Sequence, residues 1–225
     1  METLFFTGGF FMLQNSRVAE IMFSPLIRRS SKAFRIAYVA VFTALLIVAN
    51  MLLELFKFLD NQYSFTIFFS SLAGVFLGPV LGFSSCILGD AIGFLLNSQG
   101  MTYMPWVGLS TGVFAFLAGL ILRGIAEDKI WKVLLKIAVF CVVSFLVCTV
   151  GINSTGFYLF NKSIGFSTKV LEYFSDKFGG NVTFWGYVAY RLFFKLQILN
   201  SVINYALLFA VLPSLRAVKG LRPYL

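Results

Sequence analysis

The 225-residue sequence contains no histidine and few charged residues, and both shortages limit what the chain can be. Histidine is the commonest general base and the commonest metal ligand in proteins, so its absence argues against most hydrolytic and metal-dependent enzymes. Charged residues make up 12% of the sequence, about half of the roughly 25% found in soluble domains. With 59% hydrophobic residues and a mean hydropathy of +0.89, the chain has too little polar surface to cover a soluble globule.

Cysteine is also scarce. Cys86, Cys141 and Cys148 all fall within apolar runs, where thiols usually behave as small hydrophobic side chains. We therefore predict no disulfide framework, no metal site and no cofactor. The net charge of +9 does not indicate nucleic-acid binding, because the cations lie at the ends of apolar segments and not in a basic run with exposed aromatics. No Gly-rich phosphate loop ending in Lys-Ser or Lys-Thr occurs, so active transport would need a partner that hydrolyses ATP.

What the sequence does contain is a series of apolar segments, several of them near the roughly 20 residues that span a bilayer. We predict an all-α integral membrane bundle of six transmembrane helices in residues 33–216. A cytoplasmic or interfacial tail (1–32) precedes this domain, and a cytoplasmic tail (217–225) follows it. The predicted spans cover residues 34–58, 65–77, 80–97, 105–122, 131–160 and 185–212. Gly78-Pro79 separates the second span from the third; alternatively, these two form one re-entrant hairpin.

The distribution of cations predicts the orientation of the bundle, because the cytoplasmic flanks of short loops accumulate Lys and Arg. With six spans and both termini inside, most of the 18 Lys and Arg residues fall on the inner side. The outer loops then carry Lys57, Lys162, Lys169 and Lys177. We therefore expect a multi-pass protein of a bacterial cytoplasmic membrane, with both termini in the cytoplasm.

Three ionisable residues lie inside predicted spans, where charge is costly and usually functional. Asp90 in the third span and Arg191 in the sixth both fall roughly 10 Å from the outer surface at 1.5 Å per residue. Lys195 follows Arg191 by four residues, so a regular helix would place both cations on one face. One interpretation is an Asp90–Arg191 salt bridge with Lys195 reaching the interface. The other is an anionic ligand, which would balance two cations facing one acid.

Polar and aromatic residues collect towards the same outer half of the bundle. A small heterocyclic solute is held by aromatic faces and oriented by amides and hydroxyls, so this mixture suits such a ligand. Tyr and Trp also belt membrane interfaces, and Asn also bridges helices, so each residue has a structural alternative. Together with the three ionisable residues, the candidate substrate-binding residues are Asn97, Tyr103, Trp106, Asn153, Tyr158 and Asn200.

A stripe of small residues on the first span, Ala37, Ala40 and Ala44, would let another helix approach closely. The partner is either a second protein or another helix of the same bundle.

In order along the chain, Ala40-x-x-x-Ala44, Leu77-Gly78-Pro79, Gly89-Asp90 and Pro105-Trp106 resemble the substrate-binding subunits (S components) of energy-coupling-factor (ECF) vitamin transporters. The resemblance covers residues 33–216. It implies six helices with cytoplasmic termini and a vitamin bound in the outer half under the outer loops. It also implies that the small-residue stripe docks on a transmembrane coupling subunit, which works with two cytoplasmic ATPase subunits. The chain itself would not be an enzyme.

Among the subfamilies, Gly151-Ile152-Asn153 and the Arg191 to Lys195 segment look most like the folate type. The resemblance implies a pterin stacked on aromatics and bonded to Asn amides, with Arg191 or Lys195 facing a carboxylate of the glutamate tail. Alternatives are an S component for thiamine, riboflavin or pantothenate, and a membrane scaffold without transport function. An enzyme using Asp90 as its acid is a further alternative, but it would lack a second acid–base group.

Overall fold

The computed structural model describes residues 17–51, 57–58, 61–98, 102–126, 128–218 and 220–221. This part of the chain is a helical bundle with one short antiparallel pair, β1 (Lys57–Phe58) and β2 (Asn61–Gln62). The helices are α1 (Arg17–Met22), α2 (Pro25–Arg29), α3 (Lys32–Met51), α4 (Thr66–Leu77), α5 (Pro79–Leu96), α6 (Pro105–Ile121), α7 (Ile130–Ser144), α8 (Thr155–Ile164), α9 (Thr168–Phe178), α10 (Phe184–Ala189) and α11 (Gln197–Leu215). Two π-helical segments, π1 (Phe145–Ser154) and π2 (Tyr190–Phe194), join α7 to α8 and extend α10.

Helices occur at all six predicted spans. Among the described residues, four helical stretches are long and apolar enough to cross a membrane, namely Lys32–Met51, Pro79–Leu96, Ile130–Ile164 and Gln197–Leu215. α4 and α6 are apolar but shorter. The first span was predicted to run to residue 58, and residues 52–56 lie outside the described residues. The six-span count and the cytoplasmic position of both termini therefore stay predictions.

The predicted break at Gly78-Pro79 is confirmed. Gly78 ends α4 with a φ of 87°, which glycine adopts without strain, and Pro79 opens α5 as its first residue. α5 then packs against α3, α4 and α6. At Gly74, an added Cβ would lie 2.0 Å from the carbonyl oxygen of Ala115, so α4 and α6 meet backbone to backbone. The main hydrophobic core includes Phe114 of α6, Phe140 of α7 and Leu208 of α11.

The predicted sixth span is not one continuous α-helix. It consists of α10 and π2, a break at Lys195 and Leu196, and then α11. Leu196 has a φ of 51°, a left-handed conformation that costs energy in a side-chain-bearing residue. π2 and π1 belong to different spans but lie close together. Arg191 of π2 donates from Nη1 to the carbonyl oxygen of Asn153 in π1 at 3.1 Å.

The segment between the fifth and sixth spans contains the amphipathic helix α9. Its Val170 and Phe174 are buried and join Tyr187 and Tyr190 in a separate hydrophobic cluster. This cluster, which we call the aromatic cap, lies at the end of the bundle where α8 ends and α10 begins. The aromatic cap forms one wall of the cavity described below.

The described part of the predicted N-terminal tail is helical and packed on the bundle. Leu26 and Ile27 of α2 are buried. Ser24 donates its backbone N–H to the carbonyl oxygen of Leu77 at 3.4 Å and its hydroxyl to that of Phe76. Residues 1–16 lie outside the described residues.

Candidate functional site

A polar cavity of about 870 Å³ opens at one end of the bundle. It lies where α3 ends, where α4 and α6 begin, and beneath the aromatic cap. By the cation distribution above, this is the predicted outer end. Uncharged polar side chains dominate its lining, which includes Asn50, Ser64, Thr66, Ser110, Thr111, Thr149, Asn153, Asn161, Tyr187 and Asn200.

Three cationic side chains also line the cavity, namely Lys169, Arg191 and Lys195. The guanidinium carbon of Arg191 lies 3.9 Å from the centre of the Phe157 ring, a distance typical of cation–π stacking. Together with the bond to Asn153, this contact fixes the guanidinium at the cavity wall. None of the described lining residues is acidic. The positive charge of the cavity is therefore not balanced by the residues that line it.

The suggested Asp90–Arg191 salt bridge is wrong. Arg28–Glu20 and Lys136–Asp128 are ion pairs in the described part of the chain, but Asp90 and Arg191 do not form one with each other. Asp90 is 6% exposed and accepts hydrogen bonds from Asn50 Nδ2 and from the Tyr103 hydroxyl, each at 3.3 Å. Burial and the neighbouring Asp90 raise the pKa of Tyr103, so its hydroxyl keeps its proton and donates. Equal depth along two helices did not bring Asp90 and Arg191 together, because the two residues face different neighbours around the bundle.

Arg191 and Lys195 both reach the cavity, although the regular helical face expected for them does not exist. Arg191 belongs to π2, and Lys195 falls at the break before α11. The Lys195 ammonium makes no hydrogen bond or ion pair with the described residues.

Of the other predicted site residues, Asn153 and Asn200 line the cavity, while Asn97, Tyr103, Trp106 and Tyr158 are not among its lining residues. Trp106 packs against the rings of Phe157 and Phe160. Tyr158 packs against Phe166, Phe184 and Tyr187. Asn97 caps the C-terminal end of α5 through its backbone N–H. Trp106 thus packs behind Phe157 of the cavity wall, and Tyr158 packs behind Tyr187 of the aromatic cap.

Residues 30–176 match the ECF-type riboflavin transporter S component family. The chain belongs to this family. A comparison with curated proteins found no match. The match confirms the prediction of an ECF S component, a vitamin-binding subunit of a membrane transporter. It does not support the folate-type subfamily, since the matched family is named for riboflavin.

Sequence reasoning missed several lining residues of this S component. Asn50 lies near the end of the first span, and Lys169 lies on α9, which was not predicted as a helix. A signal for α9 was present, because Val170, Phe174 and Phe178 recur at intervals of four residues. The pairing of Asn50 with Asp90 across two spans has no local sequence signal.

The small-residue stripe of this S component lies on the most exposed of the four long apolar helices. Ala37, Ala40 and Ala44 are all exposed. Ala40 and Ala44 line an apolar groove of about 570 Å³ between α3 and the N-terminal helices, whereas Ala37 is not among the groove's lining residues. The stripe is therefore open to a partner and is not consumed by packing within the described bundle.

Proposed function

We propose that this S component binds a folate-type vitamin, a flat heterocycle that carries carboxylates, in the polar cavity. The observation that supports this ligand is the charge of the cavity, in which Arg191 and Lys195 face a space lined by no described acid. A carboxylate would accept charge-assisted hydrogen bonds from both side chains. A cationic vitamin such as thiamine would instead be repelled by them.

Amide and hydroxyl groups on the remaining walls suit the polar edge of a pterin. Asn153 already donates to the Ser110 hydroxyl at 2.9 Å, and its side-chain carbonyl oxygen is buried without a hydrogen-bond partner. A small rotation of the Asn153 amide would bring that oxygen to a ring N–H of a ligand, and the bond would satisfy a group that is costly to leave unpaired. Phe157, Tyr187 and Tyr190 supply aromatic surface in the same cavity.

Riboflavin is the second candidate, because the matched family carries its name. A neutral isoalloxazine would use the same amides and aromatic faces, and the ribityl hydroxyls would bond Ser and Thr side chains. The family match ends at residue 176, before π2 and the break that contribute Arg191 and Lys195. Of the three cations that line the cavity, Arg191 and Lys195 therefore lie outside the match, and Lys169 lies inside it.

We propose that the ligand-loaded subunit docks through Ala40 and Ala44 on the ECF transmembrane subunit, and that two cytoplasmic ATPase subunits energise uptake. Membership of the family supports both kinds of partner. The exposed groove beside these two alanines gives a partner helix room to approach closely.

The test is isothermal titration of the purified subunit with folate, with riboflavin and with a folate analogue that lacks the glutamate tail and carries no other carboxylate. We expect folate to bind more tightly than the tailless analogue. Arg191→Gln or Lys195→Gln should weaken folate binding about 10- to 150-fold, the equivalent of about 1.5 to 3 kcal/mol for a charge-assisted hydrogen bond. Neither change should weaken binding of the tailless analogue to a similar degree.

Lys177→Gln is the matched control, since Lys177 lies on α9 against Tyr173 and does not line the cavity. Tighter binding of riboflavin than of folate, unaffected by Arg191→Gln and Lys195→Gln, would replace folate by the second candidate. Failure of both vitamins to bind would reject both assignments.

A further inference from the structure

Asp90 is a buried carboxyl group that does not line the cavity, yet it contacts two elements that shape it. It lies on α5 and accepts hydrogen bonds from Asn50 of α3 and from Tyr103 of the segment before α6. Asn50 is itself a lining residue of the cavity. Asp90 thus stands directly behind one polar group of the cavity wall.

The backbone around Asp90 is shaped to allow this arrangement. An added Cβ at Gly108 of α6 would lie 2.7 Å from Asp90 Oδ2 and 3.1 Å from the Tyr103 hydroxyl oxygen. At Gly93 of α5, an added Cβ would lie 3.1 Å from Asn50 Cβ. Larger residues at these positions would push the carboxyl group, the phenol or the amide out of place. The close contacts at Gly108 of α6 and at Gly93 of α5 therefore both surround the hydrogen-bonded group of Asp90, Asn50 and Tyr103.

Without Asp90, the side chain of Asn50 would be free to change rotamer. The carboxyl group fixes the amide, because Nδ2 of Asn50 donates to Oδ1 of Asp90. The amide oxygen of Asn50 is then the group left to accept a hydrogen bond from a ligand. Orientation of such a group before binding lowers the entropic cost of binding.

We propose that Asp90 is a positioning residue of the vitamin site: it orients Asn50 towards the cavity without contacting the ligand. This inference rests on the proposed function of the cavity. It differs from the ligand-contacting role that the sequence predicted for Asp90.

The experiment measures the affinity of folate and riboflavin for purified wild type, Asp90→Asn, Asp90→Leu, Asn50→Ala and the double variant Asn50→Ala/Asp90→Leu. We expect Asp90→Asn to stay within about twofold of wild type, because the amide oxygen still accepts from Asn50. Asp90→Leu and Asn50→Ala should each weaken binding about tenfold, which corresponds to the loss of one hydrogen bond. The double variant should bind no more weakly than Asn50→Ala alone, because Asp90 acts through Asn50.

A merely structural role would not give this non-additivity in affinity. Melting temperatures of the same variants identify any that fail to fold. If Asp90→Leu does fail, Asp90→Ala, which also removes the acceptor but adds no bulk, takes its place in the single and double variants. Equal loss in Asp90→Asn and Asp90→Leu, or additive losses in the double variant, would show a direct contact and overturn the inference. Unchanged affinity in every Asp90 variant would also overturn it. If wild type binds neither vitamin, it is the proposed function that fails.

Discussion

Asn204 on α11 should be one of the most sensitive positions in the bundle, because its side chain caps another helix. Its Oδ1 accepts from the backbone N–H of Phe68 at 2.9 Å, and its Nδ2 donates to the carbonyl oxygen of Ser64 at 2.7 Å. Phe65 precedes α4 as its N-cap residue and has no side-chain acceptor. The amide from the last span therefore provides the bond that an N-cap side chain normally makes to the third residue of a helix.

The size of the effect follows from the groups that would be left unpaired. Asn204 is fully buried. Because leucine is close in size to asparagine, Asn204→Leu leaves little empty space and loses little stability through a cavity. The change strands one backbone N–H and one backbone carbonyl, each at about 1–3 kcal/mol. We expect the free energy of unfolding to fall by about 2–6 kcal/mol, a large part of the 5–15 kcal/mol typical of a folded domain.

The free energy of unfolding can be measured by SDS titration in mixed micelles. The control is Asn181→Leu, which removes an amide from an exposed position. Hydrogen exchange localises the effect, because the amide of Phe68 should lose protection in Asn204→Leu and keep it in the control. A loss of stability below about 1 kcal/mol with unchanged exchange at Phe68 would refute the capping argument.

Two further predictions concern the opposite end of the bundle. Ala40→Leu and Ala44→Leu should abolish uptake in cells while binding to the isolated subunit persists, because the larger side chains fill the groove; Ala37→Leu, outside the groove, should retain uptake. Uptake that survives both groove changes would contradict the docking proposal. A hydrogen bond from Lys136 lowers the pKa of Asp128 in the folded protein. The ionised Asp128 therefore stabilises the fold fully above the unfolded pKa of about 3.9, and this stabilisation is lost as the pH falls through the lower folded pKa. The melting temperature of Asp128→Asn should therefore lie below that of wild type at about pH 7, and the difference should shrink as the pH falls through the folded pKa; a difference that does not change with pH would contradict this account.

The sequence predicted the helical segments well because their boundaries carry local signals. Pro79 and Pro105 each open a helix at the expected place, and Gly78 ends one. It predicted four lining residues of the cavity, Asn153, Arg191, Lys195 and Asn200, because polar groups at membrane depth stand out against an apolar background.

The directions in which side chains point around the bundle were harder to predict from the sequence. Depth along a helix can be counted from the sequence, but the direction of a side chain depends on how the helices rotate and pack. This is why equal depth suggests an Asp90–Arg191 pair as one interpretation, whereas the hydrogen-bond partners of Asp90 are Asn50 and Tyr103. Asn200 illustrates a second difficulty, since it lines the cavity and also accepts from the backbone N–H of Ser64 at 3.0 Å. One amide thus holds the start of α4 as well as facing the cavity.

The π-helical segments explain how two cations can reach one cavity without a regular helical face. In an α-helix, residues four apart share a face, but π2 winds more loosely and ends at Phe194, just before the break that contains the left-handed Leu196. The resulting break lets Lys195 line the cavity from the junction, while Arg191 lines it from within π2. Arg191 is held by the carbonyl oxygen of Asn153 in π1, so irregular backbone in two different spans meets at a single guanidinium. Irregular backbone at membrane depth is tolerated where it lines a polar cavity, and here it also sets the positive charge on which the choice of ligand depends.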